Sequence, residues 1–295
     1  LITVLRWQYL LATLGVRVPT RDAARLGWLG LFFSQLIPGA TGGDLVRGVQ
    51  AARERPQQRP QAVLSVLLDR TMGVTALMMI GAVGIFFCPP EVRGDPLLRR
   101  LGVILLVAIS VILLGGALLC WRGFWQRVGV GRAFRWLPGR RIIARLGEAL
   151  WTMRRRRAAL GIGLLLSFVG HGCFIASAML LTRGMTGSMP AAENYFFLVP
   201  VGQLAFSLPL TPGGSGVGQW AYDELFRAVG ETHGAELGVL LQLTAVFWAI
   251  AGLGIFRGRG ELAEDWAIAV SGQAPAAEGA EPGSPEAPPE TPSGR

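Results

Sequence analysis

The sequence predicts an all-α, polytopic integral membrane protein with two Pro/Gly-interrupted re-entrant helix pairs in an inverted repeat. Three observations predict it. The 295-residue chain is 51% hydrophobic and only 16% charged, with mean hydropathy +0.44, whereas a soluble domain carries about a quarter charged residues. An uncharged run from Leu101 to Trp121 is long enough to span a ~30 Å hydrocarbon core at about 1.5 Å per residue. Two stretches, Pro38-Gly39-Ala40-Thr41-Gly42 and Pro212-Gly213-Gly214-Ser215-Gly216, share the pattern Pro-Gly-x-Ser/Thr-Gly, and each follows an apolar segment too short for a comfortable crossing. Paired interruptions of this kind point to a substrate site, because broken backbone at membrane depth is tolerated only where protein or a wet cavity satisfies it. The competing reading is two loops that share common turn residues.

Residues 1–16 read as the tail of a transmembrane helix ending at Arg17, Arg21 and Arg25. The chain starts at Leu1 inside that apolar run, without Met or a cleavable signal peptide, so an N-terminal piece is expected to precede it. Leu26 to Ile37 is a short apolar segment. The first glycine loop follows, and Asp44-Leu45-Val46-Arg47 opens a new helix. Arg53, Glu54, Arg55 and Arg59 form a basic connection. Ala62 to Phe87 is a full span carrying Asp69 and Arg70, and Cys88 to Arg100 is a Pro-rich loop. Leu101 to Trp121 returns across the membrane.

From Arg122 to Arg157 the sequence holds eleven Arg and one acid, Glu148, a charge of +10. Its Trp125, Phe134, Trp136, Ile142, Ile143, Leu146, Leu150 and Trp151 recur at roughly helical spacing. Two readings stand: an amphipathic helix on an anionic membrane surface, or a cytoplasmic loop whose Arg content sets orientation. Ala159 to Thr182 is a span interrupted by His171. Tyr195 to Leu210 is the second short segment, Val217 to Val229 a short amphipathic piece after the second glycine loop, and Leu237 to Phe256 the last span. The division is therefore a transmembrane domain over 1–258, including the basic segment 122–157, and a disordered Pro/Ala/Glu-rich tail over 259–295.

The net charge is +9 and the pI near 11.0. All 28 basic residues are Arg. They cluster between apolar spans, as the positive-inside rule expects, so nucleic acid is not expected as a partner. Cys88, Cys120 and Cys173 form no disulfide or metal pattern, and neither a metal nor a cofactor is expected. Placing the +10 segment in the cytoplasm of the cell membrane puts residues 47–61 and the C-terminus there too. Three full spans then separate the broken elements, so the first dips in from the cytoplasm and the second from outside. If one of them crosses, this parity flips.

Phe33-Ser34-Gln35-Leu36-Ile37-Pro38-Gly39-Ala40-Thr41-Gly42-Gly43-Asp44-Leu45-Val46-Arg47 resembles the first signature of the lysylphosphatidylglycerol synthase transmembrane-region family, also called flippase-like integral membrane proteins. Val63-Leu64-Ser65-Val66-Leu67-Leu68-Asp69-Arg70 is similar to its second, and Leu208-Pro209-Leu210-Thr211-Pro212-Gly213-Gly214-Ser215-Gly216-Val217-Gly218 to its third. The resemblance covers about residues 5–258. It implies a domain that handles lipids or lipid-linked head groups and, in the best-known members, moves an aminoacylated phospholipid between leaflets. There a soluble aminoacyl-transferase domain makes the lipid. Such a domain does not fit in the residues after 258, so synthesis is not expected of this chain alone. The family often has Glu after the last glycine; here it is Gln219, which puts a proton- or cation-coupling role for that position in doubt.

The candidate site follows. Gly39, Gly42, Gly43, Gly213, Gly214, Gly216 and Gly218 leave backbone N–H groups open to a phosphate, beside helix starts that favour anions; the alternative is close helix packing. Thr41 belongs to the same loop. Asp44 and Arg47 share a helix face and can pair, and Arg47 is the best phosphate ligand because a guanidinium binds phosphate in two-pronged fashion. Asp69 and Arg70 point about 100° apart and are not expected to pair with each other. Arg70 is expected to line the cavity against Asp44 or Asp223, the alternative being snorkelling to the interface. His171 lies mid-span and is either functional or bonded to a neighbouring helix. Thr211 and Ser215 donate to phosphate or cap the next helix, with capping favoured for Ser215. Trp220 and Tyr222 are expected at the interface.

The expected function is binding and flippase-like translocation of phospholipid or lipid-linked head groups across the cytoplasmic membrane. The alternative is a membrane component of an aminoacyl- or glycosyl-transferase system, with catalysis by a partner transferase. No Walker loop and no catalytic set is visible in the sequence, so no reaction is assigned to the chain; its expected partners are membrane lipids and, in the alternative, a partner transferase.

Overall fold

The computed structural model describes residues 1–36, 41–54, 58–120, 156–208 and 210–256. Among them the regular elements are all helices: α1 (Ile2–Thr13), α2 (Thr20–Leu36), α3 (Thr41–Glu54), α4 (Arg59–Phe87), α5 (Pro90–Gly94), α6 (Pro96–Cys120), α7 (Arg157–Thr186), α8 (Ala192–Phe206), α9 (Val217–Arg227) and α10 (Gly234–Phe256). Four contain segments long and apolar enough to cross a membrane: Arg59–Phe87, Pro96–Gly115, Ala158–Thr186 and Gly234–Gly252. The protein is all-α and polytopic. Large apolar side chains such as Ile104, Val107, Val111 and Leu114 on α6, and Phe247 and Ile250 on α10, are exposed. Water would penalise such a surface and hydrocarbon does not.

Helix α4 is the hub, in contact with α1, α3, α6, α7 and α8. Two hairpins, α2–α3 and α8–α9, flank it. Their helices have 17, 14, 15 and 11 residues, so none exceeds about 26 Å and none reaches across ~30 Å of hydrocarbon. The partners obey an exchange. Replacing α1, α2, α3 and α4 by α7, α8, α9 and α10 maps α1·α2 onto α7·α8, α2·α3 onto α8·α9, α3·α4 onto α9·α10, and α2·α10 onto α8·α4. The exchange is that of a partial internal repeat: the contact of α4 with α7 has no counterpart of the same weight between α10 and α1.

Glycine makes the closest approaches. A methyl group at Gly43 would overlap the carbonyl oxygen of Gly30, so α2 and α3 touch backbone to backbone there. Gly84 of α4 likewise leaves no room against the Phe196 carbonyl of α8. Around the second hairpin the core is aromatic: Tyr195, Phe197, Tyr222 and Phe226 are fully buried, with Tyr195 and Phe226 edge to face at 5.3 Å.

Several boundaries differ from the sequence reading. Helix α2 begins at Thr20, and the Ala23 N–H donates to the Pro19 carbonyl at 2.9 Å, so Arg21 and Arg25 lie in its first turns rather than in a connecting loop. His171 does not interrupt its span: α7 runs unbroken through it, because the ring finds a partner on a neighbouring helix. Tyr222, expected at the interface, is buried and donates to the Val199 carbonyl at 3.1 Å; α9 turns this face inward. The basic segment, apart from its last residues 156 and 157, and the tail over 259–295 lie outside the described residues.

In the turn between α9 and α10, outside the long helices, Glu231 faces His233 at 3.0 Å, and the same ring nitrogen lies 3.2 Å from the Tyr195 hydroxyl. Burial pushes the Glu231 carboxyl above its ordinary range, only partly opposed by His233. A carboxyl with a raised folded-state pKa contributes stability below its unfolded value and loses it as pH rises through the folded value. The thermal midpoint in detergent is therefore expected to fall between pH 4.5 and the neutral range, and Glu231→Gln to flatten that fall. A variant profile that keeps the wild-type slope would assign the slope to another group.

Candidate functional site

The first cluster forms where α1, α3, α4 and α7 meet. Asp69 lies ten residues into the 29-residue α4, about 15 Å along its axis. It receives Arg6 Nε at 2.7 Å on Oδ1 and Arg47 Nη2 at 3.0 Å on Oδ2. Arg47 also reaches Asp44 Oδ1 at 3.2 Å, one helical turn back. Arg70 donates through Nε to Asp44 Oδ2 at 2.7 Å, and its Nη2 bonds the same oxygen. Arg6 Nη1 donates to Ser167 Oγ at 2.7 Å, and the Arg47 guanidinium lies 4.6 Å from the Trp7 ring centroid, a cation–π contact. Trp7 in turn donates to Ser65 Oγ at 3.0 Å.

Arg6, Arg47 and Asp69 are 7%, 6% and 3% exposed. Burying such charges is costly unless each is paired, and pairing accounts for most of the cluster. Among the described side chains the cluster holds three guanidinium groups and two carboxylates. Arg47 Nε is buried without a hydrogen-bond partner. The outermost member is Arg70, whose side chain is 39% exposed. His171 joins from α7, its Nε2 3.0 Å from the Gly73 carbonyl. A carbonyl only accepts, so that nitrogen carries the proton. A methyl at Gly73 would lie 3.3 Å from Arg6 Nη1, which places the imidazole contact beside the cluster.

A second cluster forms where the hairpins meet. Gly213, Gly214 and Gly216 have φ of 58°, 73° and 84°, values an L side chain rarely takes, and this explains the glycines. The turn carries the chain up to α2: a Cβ at Gly213 would lie 3.4 Å from Gln35 Cα, 2.9 Å from Gln35 Oε1 and 3.3 Å from Gln242 Nε2. Gln219 Oε1 accepts from the Gly216 N–H at 2.6 Å, and its amide nitrogen donates to Gln242 Oε1. Gln242 passes the chain on to Ser215 Oγ. Gln219, not Ser215, therefore caps α9; the longer side chain folds back one turn while Ser215 faces α10. Gln242→Leu, which strands Gln219 and Ser215, is expected to lower stability by about 1–3 kcal/mol, read as a drop in thermal midpoint; an unchanged midpoint would remove this chain from the account.

The sequence-predicted residues thus fall into two groups. Asp44, Arg47, Asp69 and Arg70 share one network, with His171 at its edge. Arg70 chooses Asp44; Asp223 instead pairs with Arg227 at 2.6 Å. Snorkelling does not describe Asp69, which is buried inside the bundle. Thr211, Gly213, Gly214, Ser215, Gly216 and Gln219 build the second cluster. Thr41 and Gly42 open α3, Gly43 is used for helix packing against Gly30, and Gly39 lies outside the described residues. The sequence reading missed Arg6, Ser167, Gln35 and Gln242. For Arg6 a signal existed: a charge inside the apolar run 1–16 is expensive in a membrane and needs a partner.

No curated protein and no solved structure matches the chain. The family model described as "Lysylphosphatidylglycerol synthase TM region" matches residues 1–254, which takes in both hairpins and all four long helices. The chain belongs to the family of that transmembrane region.

Proposed function

We propose that this protein binds the phosphate of a phospholipid or lipid-linked head group at the arginine cluster of α1, α3, α4 and α7 and carries it across the cytoplasmic membrane. The observation that carries the reading is the arginine cluster buried among the helices, with an unpartnered Arg47 Nε inside it and the half-exposed Arg70 at its edge. A phosphate approaching from the Arg70 side competes with Asp44 for that guanidinium. Among the described residues three long helices, α4, α6 and α7, lie between the hairpins in the sequence. With each crossing once, the hairpins enter from opposite faces, as alternating exposure of one internal site requires. In this reading the connection after α3, the basic segment 122–157 and the C-terminus face the cytoplasm.

Reconstitution into liposomes with fluorescent phospholipids tests it. Leaflet exchange is expected above that of protein-free vesicles. Arg70→Gln removes charge-assisted hydrogen bonds worth about 1.5–3 kcal/mol, so exchange should fall roughly ten- to hundredfold while the protein stays folded. Exchange at the protein-free level across a panel of anionic head groups would refute translocation. A second reading is favoured by the family's description, which names a synthase: the chain presents lipid to a separate transferase. Transferase activity that co-purifies with the protein, without leaflet exchange, would select it.

A further inference from the structure

The junction of the hairpins differs in chemistry from the arginine cluster. Its polar side chains are Gln35, Thr211, Ser215, Gln219 and Gln242, arranged around Gly213; all are uncharged. Two acceptors there are buried and have no hydrogen-bond partner: Gln35 Oε1, from the first hairpin, and Thr211 Oγ1, from the second. Buried acceptors left unpaired are costly, on the scale of a lost hydrogen bond each. Their burial is understandable where a ligand supplies the missing donors. Hydroxyl groups do so without bringing a charge, and no carboxylate in the junction balances a cationic one.

Helix α2 runs past both clusters. Arg47 Cβ packs against Gly30: a methyl on Gly30 would lie 3.7 Å from it. Gln35 is five residues further along α2, a rise of about 7.5 Å.

Building on the phosphate site proposed above, we infer that the junction of Gln35, Thr211 and Gln242 is a subsite for an uncharged, hydroxyl-bearing head group, so that this protein prefers phosphodiester lipids with a polyol head over those with a cationic, aminoacylated one.

Thermal-shift titration of the intact protein in detergent tests this with four probes. Phosphatidylglycerol carries the hydroxyls; phosphatidylethanol has the same single negative charge and none. Lysylphosphatidylglycerol adds the cationic group, and glycerol 3-phosphate is the soluble counterpart. Two neutral hydrogen bonds correspond to about tenfold or more in affinity, so phosphatidylglycerol should bind about tenfold tighter than phosphatidylethanol and more tightly than its lysyl ester. Gln35→Leu is expected to fold, since the amide oxygen it removes has no protein partner, and to bring phosphatidylglycerol down to the level of phosphatidylethanol. Equal binding of those two lipids, or tightest binding of the lysyl ester, would overturn the subsite and leave the phosphate site standing. No stabilisation by any probe would overturn both. Glycerol 3-phosphate binding as tightly as the lipid would keep the hydroxyl subsite and assign it to a soluble ester.

Discussion

Asp69→Asn is expected to be the most damaging single polar substitution in the described structure. The carboxylate is 3% exposed and receives Arg6 from α1 and Arg47 from α3 on its two oxygens. The amide keeps the shape and loses the charge, which leaves two guanidinium groups buried with too little compensation. Breaking a buried pair in this way costs about 3–5 kcal/mol, a large share of the stability of a typical fold. The loss should appear as reduced folded yield and an early, broadened melting transition in detergent. Combining Asp69→Leu with Arg6→Met and Arg47→Met is expected to recover much of the stability, since apolar replacements of a whole buried ion cluster are often neutral or stabilising. Lipid exchange should not recover with it. If the triple variant exchanged lipid at the wild-type rate, the cluster would be structural alone.

Gly43→Ala is the second. The added methyl overlaps the Gly30 carbonyl, and because both are backbone atoms in helices no rotamer change relieves the overlap. Helices α2 and α3 must move apart, and overpacking of this severity costs about 3 kcal/mol or more. Gly115→Ala provides the control: nothing lies within 4 Å of its added methyl, and an alanine in a helix interior is about 0.5–1 kcal/mol better than glycine. The two variants should shift the thermal midpoint in opposite directions. Gly43→Ala melting with the wild type would mean that the hairpin is looser than its backbone contact implies.

What the sequence disclosed, and what it hid, follow from range. The spans were legible because their signal is local: length and apolarity suffice for α4, α6, α7 and α10. The pairing of Asp44 with Arg47 was legible from helical periodicity. Arg70 with Asp44 was one of two stated options, because a 26-residue separation leaves the choice to packing. Arg6 and Ser167 were invisible as partners since they are 161 residues apart and meet only when α1 lies on α7. Gln35 and Gln242 carry no motif; their role arises from the contact of α2 with α10. The start of α2 was misplaced because Arg21 and Arg25 looked like a polar break, whereas their long side chains are readily carried in a first turn near the interface. Gly43 shows the limit of reading glycine as a phosphate cradle: the same missing side chain serves two backbones in contact.

The two hairpins meet through Gln35 and Gly213, and under the proposed function lipid passage depends on this junction. In a chain with Cys88, Cys120 and Cys173 replaced by Ala, Gln35→Cys and Gly213→Cys are close enough for a disulfide, given the 3.4 Å from a Cβ at Gly213 to Gln35 Cα. The left-handed backbone at Gly213 adds strain of about 1–2 kcal/mol. Oxidation in native membranes is expected to form the cross-link within one chain, to stop leaflet exchange after reconstitution, and to release it again on reduction. Two thiols that label singly but never join, or a fully cross-linked protein that still exchanges lipid at the uncrosslinked rate, would contradict the account.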